Sequence, residues 1–181
     1  MKKVAILAAP GFEEIELIAP LDILRRLNME VMLAGVQSDK VVSAHDVTVT
    51  TDTMLDKLHA DKLDALVLPG GAGSWILRDT PEVIHLVKKM HEAGKLVAAI
   101  CAAPSVLAAL GLLEGKNATA HAAFQDKLAG AHVLDTEVVV DGNITTSYGL
   151  GGAIPFALEL VRQLAGQAEA DRIQNAIAYR H

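Results

Sequence analysis

The single cysteine of the chain, Cys101, stands in LVAAICAAPSVLAAL (residues 96–110). There an apolar run of strand length gives way to small residues, a proline and a helix-forming stretch. A thiol on such a strand-to-helix turn is pushed out over the edge of a sheet, the arrangement known as a nucleophile elbow. Its side chain then faces the N-terminal end of the next helix, whose unpaired N–H groups lower a thiol's pKa and favour the thiolate. Ala99, Ala102 and Ala103 are small enough for the sharp turn, and the N–H of Ala102 is placed to hydrogen-bond an oxyanion. A free cysteine also serves as a small buried hydrophobe. This segment alone leaves both roles open.

Other segments offer partners. LVLPGGAG (residues 66–73) ends a strand in Gly70 and Gly71, which allow a backbone to approach a ligand closely. Gly71 is a second candidate oxyanion donor, although a lone Gly-Gly after a strand is common in turns. PGFEEIEL (residues 10–17) puts three acids into the first turn of a helix. Glu13 and Glu14 are read as complements to the helix dipole. Glu16, between Ile15 and Leu17, is read as facing inward. Among the histidines, His59, His85 and His91 fall on exposed helical or loop faces, His132 on the surface, and His181 at the terminus. His121, in NATAHAAF, follows a short strand-like piece and is the one placed to reach back over the same edge.

The elements that must hold these groups alternate along the chain. Apolar runs at Val4–Ala8, Val31–Ala34, Ala65–Leu68 and Leu96–Ile100 are each four or five residues long and end in Gly, Pro or small residues, as buried parallel strands do. Helical stripes lie between them. Glu14–Leu27 carries Leu17, Ile18, Leu21, Leu24 and Leu27 on one face, with Pro20 expected to kink it or restart it. Pro81–Ala93 starts at a Thr80 N-cap and stops at Gly94. Ala103–Leu110 ends at Gly111, and Gly152–Leu164 and Ala168–Ala178 close the chain. VTVTTD (residues 47–52) has the period of a half-exposed strand, and TEVVVDGNITTS reads as a hairpin turning at Asp141-Gly142. The pattern specifies one domain over residues 1–181: an α/β, flavodoxin-like, doubly wound and mostly parallel sheet with helices on both faces. Ligands in such sheets bind beyond the carboxyl ends of the strands. That edge collects Gly11–Glu16, Gly70-Gly71 and Cys101.

Composition narrows the function classes. The net charge of −6 and the lack of a basic stripe argue against a nucleic-acid partner. One cysteine excludes an internal disulfide framework and a Cys-based zinc site. The opening apolar run is too short for a signal core, and no stretch has the length of a membrane span. A cytoplasmic protein without membrane association is the expectation. The His, Asp and Glu residues show no tight metal-ligand spacing, and PGFEE is a poor phosphate loop, so neither a metal nor a cofactor is expected.

Taken together, GFEEIEL, LDALVLPGG, VAAICAAPSVLAALGLL, ATAH and GGAIPFALELV resemble the ThiJ/PfpI family over nearly the whole chain. Within it they resemble the branch of the parkinsonism-associated deglycase and glutathione-independent glyoxalases. The resemblance implies a homodimer and makes Cys101 the reactive thiol. It assigns Glu16 as a buried, protonated carboxyl beside the sulfur, His121 as a nearby histidine, and Gly71 and Ala102 as backbone oxyanion donors. Three positions depart from the pattern: His45 stands where that branch often has an arginine near the pocket mouth, Tyr148 holds another such position before the late glycine cluster, and Ala122 follows His121 where many relatives have proline. Other branches fit less well. The peptidase-like branch has histidine directly after the cysteine, where Ala102 stands. Glutamine amidotransferases need a late His-x-Glu pair, and isonitrile hydratases an aspartate at the place of Glu16.

The implied chemistry is cofactor-independent conversion of small 2-oxoaldehydes such as methylglyoxal and glyoxal to hydroxy acids, or reversal of early aldehyde adducts on amines. The alternative is a non-enzymatic sensor or protective protein acting through oxidation of Cys101.

Overall fold

The four apolar runs form the middle of one sheet. The computed structural model describes residues 1–180, so His181 lies outside the described residues. The first half of the chain gives β1 (Lys3–Ala8), α1 (Glu14–Arg25), β2 (Glu30–Gly35), β3 (Lys40–Val42), β4 (Thr48–Thr50), β5 (Thr53–Met54), β6 (Ala65–Leu68), α2 (Gly73–Asp79) and α3 (Pro81–Glu92). The second half gives β7 (Leu96–Ile100), α4 (Pro104–Ala109), β8 (Asn117–Ala118), β9 (His132–Val133), β10 (Val138–Asp141), β11 (Ile144–Ser147), α5 (Ala153–Ala165) and α6 (Gln167–Ala176).

The main sheet has the order β10-β11-β7-β6-β1-β2-β5, and every neighbouring pair is parallel except β10 with β11. From β1 the chain moves one way to β2 and the other way to β6 and β7. The gap between β1 and β6 is therefore the switch point, where this architecture opens a crevice. Side chains alternate between two cores. Val4, Ile6 and Ala8 pack with Leu17, Leu24, Phe156 and Leu160 of α1 and α5. Ala5 and Leu7 pack with Val83, Val87, Met90 and Leu107 of α3 and α4. Burial on both faces is why these strands read as continuous apolar runs.

Three local expectations are corrected. α1 does not restart at Pro20 but runs through it as one helix, with Pro20 buried inside it. The missing N–H removes a single backbone bond, and the packing of Leu17, Leu21 and Leu24 on either side holds the helix together. Thr80 stands at the N-cap position of α3 without capping it; its hydroxyl donates instead to the Ile76 carbonyl at 2.6 Å. The hairpin pairs Asp141 with Ile144, so its two-residue loop is Gly142-Asn143, one residue later than expected. Gly142 takes φ +62°, and the Asn143 amide donates to the His91 and Lys95 carbonyls at 3.1 and 2.8 Å. The alternating VTVTTD stretch does hold a strand: β4 pairs antiparallel with β3 in a small ribbon outside the main sheet and is mostly exposed.

Candidate active site

Cys101 directly follows β7 and takes φ +65°, a left-handed conformation that costs a residue with a Cβ roughly 1–2 kcal/mol. Both backbone groups are clamped. Its N–H donates to the Ser147 carbonyl at 2.8 Å, and its carbonyl accepts from the His121 N–H at 3.0 Å. Strain held this firmly at a strand end marks a side chain whose direction matters. Residues 101–103 form a turn before α4 begins at Pro104, and α4 has only six residues. The sulfur is therefore served by individual peptide N–H groups, those of Ala102 and Gly71, both of which favour its anion.

The two donor peptides are built alike. Ser74 Oγ donates to the Gly71 carbonyl at 2.8 Å, and Ser105 Oγ donates to the Ala102 carbonyl at 2.6 Å. Each serine lies three residues past its donor, is buried, and holds the turn that aims the N–H. Gly71 takes φ +79° and bridges to Phe12 across the switch point. Gly70 is needed for space: a Cβ there would lie 2.5 Å from Glu16 Oε2 and 2.7 Å from the Cys101 Cβ.

Glu16, on the inward face of α1, has no exposed surface. One oxygen, Oε2, accepts from the Gly70 N–H at 3.0 Å. The other, Oε1, is buried and has no conventional hydrogen-bond partner, which leaves it as the oxygen available to the thiol. Burial pushes the Glu16 carboxyl up to about 7, against the opposing pull of the thiol and the Gly70 N–H, and Glu13 adds to the rise. Burial also pushes the Cys101 thiol up to about 12, helped by the charge of Glu16 and its hydrogen bond, while the Ala102 and Gly71 N–H groups pull it down. The expectation of a thiol lowered by a helix end is thus corrected: burial and the neighbouring carboxylate outweigh the amide dipoles. Carboxyl and thiol titrate as one unit in two steps.

His121 does reach the site, and by its backbone as well as its ring. A Cβ at Gly149 would lie 3.7 Å from Cys101 Sγ and 3.5 Å from His121 Cδ2, so both side chains line one small space floored by this glycine. His121 is exposed, and its Nδ1 accepts from the Ala123 N–H at 3.2 Å. Gly149 was missed by sequence reasoning, although its place after Tyr148 in SYGLGG was a usable signal.

Glu14 does more than complement the helix dipole. Its carboxylate accepts from Ser43 Oγ, from the His45 N–H at 2.7 Å, and pairs with His45 Nδ1 at 2.9 Å. These bonds hold it down at about 2 and raise His45. The loop of residues 43–47 is tied in this way to the first turn of α1, next to the Phe12–Gly71 bridge. Glu13, Glu14 and His45 are the one group of three or more His, Cys, Asp or Glu side chains among the described residues whose potential metal-ligand atoms lie within 4.8 Å of one another. A separation of 31 residues hid it from spacing arguments. Tyr148 packs instead on Gly151 and Gly152. His59 and His85 line a separate groove of about 640 Å³ between residues 55–61 and α3, and His91 is half-buried rather than exposed.

A strained cysteine at a strand end, with paired peptide donors and a buried carboxyl, sits at the switch point of a mostly parallel α/β sheet. Residues 2–163 match the model of the DJ-1/PfpI family, and the chain belongs to that family. It is 42% identical over 164 residues to a deglycase of Thermococcus kodakarensis, covering 90% of this chain and 99% of that one. It is 38% identical to protein dj-1beta of Drosophila melanogaster, covering 97% and 96%. The crystal structure of Drosophila DJ-1beta superposes with a TM-score of 0.95 at 36% identity over 99% of both chains. That of oxidized Toxoplasma gondii DJ-1 gives 0.96 at 34% identity over the whole of both. No helix among the described residues is long and apolar enough to cross a membrane.

Proposed function

We propose that the protein converts small 2-oxoaldehydes to 2-hydroxy acids without glutathione or another cofactor, using Cys101 as nucleophile, and that the same first step lets it act on early aldehyde adducts of amines. The observation that carries this reading is the pairing of Cys101, two peptide donors and a carboxyl whose pKa lies near neutrality. Relatives named deglycases support it.

Above about pH 7, once the pair has given up its first proton, carboxyl and thiol hold one proton between them. When it sits on Glu16, Cys101 is a thiolate with N–H groups beside it. The thiolate adds to the aldehyde carbon, and the new oxyanion is stabilised by the Gly71 and Ala102 N–H groups. Glu16 gives its proton to that oxygen, and the carboxylate so formed, or His121, then removes the proton from the same carbon and returns it to the neighbouring carbonyl carbon through an enediol. The aldehyde carbon is oxidised as the ketone carbon is reduced, so no external electrons are needed. The resulting thioester takes up water, releasing the hydroxy acid and the thiol.

The reading includes a homodimer in the cytoplasm. Ile15 and Ile18 of α1 and Val42 and Val47 of the β3–β4 ribbon are exposed, and the Gly11 N–H donates to the Val42 carbonyl at 2.8 Å, which sets the two segments side by side. Sedimentation equilibrium should show two chains; a monomer at micromolar concentration contradicts the dimer.

The chemistry is tested by following methylglyoxal without glutathione, with product identification, for wild type, Cys101→Ala and Glu16→Ala. Lactate from the wild type and none from Cys101→Ala is expected. Turnover that survives in Cys101→Ala overturns the mechanism.

A further inference from the structure

Beyond the sulfur, two segments bring aromatic rings and an ammonium together beside the His121 ring. Trp75 lies on α2, four residues past Gly71 and so about one helical turn along. Phe124 and Lys127 belong to the short turn of helix Ala122–Lys127 that follows His121. The indole and phenyl centroids are 5.7 Å apart with planes tilted by 45°. Phe124 also meets the His121 imidazole edge-on at 6.4 Å. Lys127 Nζ sits 4.7 Å from the indole centroid and 4.8 Å from the phenyl centroid. Contacts therefore run from the sulfur past Gly149 and His121 to Phe124 and Lys127, and return along α2 to Gly71.

The charge balance at this cluster is unusual. The Arg78 guanidinium also lies 4.8 Å from the indole centroid, but it is spent on Asp79 through two hydrogen bonds of 2.7 and 3.0 Å. Lys127 is exposed and, among the described residues, has no carboxylate within ion-pair distance; its contacts are the two rings. The chain as a whole carries a net charge of −6. Aromatic faces hold an ammonium in place without neutralising it, and their apolar flank strengthens its pull on an anion compared with open water. A single free cation matches a single negative charge.

From this arrangement we infer that Lys127, seated on Trp75 and Phe124, is a carboxylate-binding subsite that makes the enzyme favour aldehydes and aldehyde adducts bearing a carboxylate over neutral ones. This rests on the reading that Cys101 adds to aldehydes. The natural substrates are then adducts on amino acids or on peptides with a free carboxylate nearby, rather than methylglyoxal alone.

Because Cys101 is the only cysteine, alkylation reports on this site without ambiguity. The test compares the rate of labelling by N-iodoacetylglycine, which carries a carboxylate, with that by its neutral amide, as a ratio for each of wild type, Lys127→Gln and Lys127→Arg. Lys127→Gln should lower the charged-to-neutral ratio roughly fivefold at low salt, the scale of one exposed charge pair. Lys127→Arg should restore it, and about 0.5 M salt should erase the difference. An equal ratio in wild type and Lys127→Gln overturns the subsite. Methylglyoxal turnover by the wild type is judged separately: its absence, with a ratio that still depends on Lys127, contradicts the aldehyde reading and leaves the anion subsite standing.

Discussion

Glu14 and Glu16 are two residues apart on the same helix turn, yet one is held at about 2 and the other pushed to about 7. Glu14 turns to the loop of residues 43–47 and fills its oxygens with a hydroxyl, a peptide N–H and an imidazole. Glu16 turns inward, loses its water, and receives one peptide N–H on one oxygen and no conventional partner on the other. Burial without compensation raises a carboxyl, and donors lower it. The first glutamate is a structural anchor that stays ionised, while the second is a carboxyl raised to near neutrality, which the proposed mechanism uses as its acid–base group. Identical side chains are sorted into two jobs by which face of α1 they occupy.

The sharpest way to break the comparison is at the thiol that gives Glu16 its purpose. Cys101→Ala should reduce methylglyoxal turnover by roughly three orders of magnitude or more, measured as lactate formation, with the fold intact by circular dichroism. Gly70→Ala comes next. The added methyl would press on Glu16 Oε2 and the Cys101 Cβ, and such overpacking should cost about 2–3 kcal/mol in urea unfolding and remove activity with it.

Glu16→Gln separates stability from chemistry. A carboxyl raised in the folded state from 4.5 to about 7 contributes stability that is fully present below about pH 4.5 and lost as pH rises through about 7. Its charged form therefore costs the folded protein about 3 kcal/mol above that range. Gln can still accept from the Gly70 N–H, so Glu16→Gln should gain most of this at pH 8, gain little at pH 4.5, and lose turnover. Equal stability changes at the two pH values would contradict the assignment. The smallest effect is expected at the other glutamate: Glu14→Gln should leave Cys101 reactivity close to wild type and show itself as faster amide exchange over residues 43–47.

What could be read in advance follows the same division. Strands buried on both faces announce themselves as apolar runs, so β6 and β7 were read to the residue and β1 and β2 to within a residue at each end. The glycine pair and the cysteine were legible because strand ends and turns have a restricted vocabulary. Glu16 was legible because an acid between Ile15 and Leu17 conflicts with its surroundings. The Glu14–Ser43–His45 tie and the Trp75–Phe124–Lys127 cluster were not, since each joins segments tens of residues apart through side chains that are ordinary on any surface. The direction of the thiol's shift was also misjudged. A helix end can be inferred from a proline, but how deeply the sulfur is buried beside Glu16 depends on packing that no local pattern encodes.

The most direct test of the account is the rate of Cys101 alkylation by iodoacetamide between roughly pH 5 and pH 10, since this rate follows the thiolate. If Glu16 and Cys101 share one proton, the wild-type rate should rise through a step near pH 7 and level off, and Glu16→Gln should lose that step. A wild-type rate that climbs steadily to the top of the range with no step near pH 7 would contradict it.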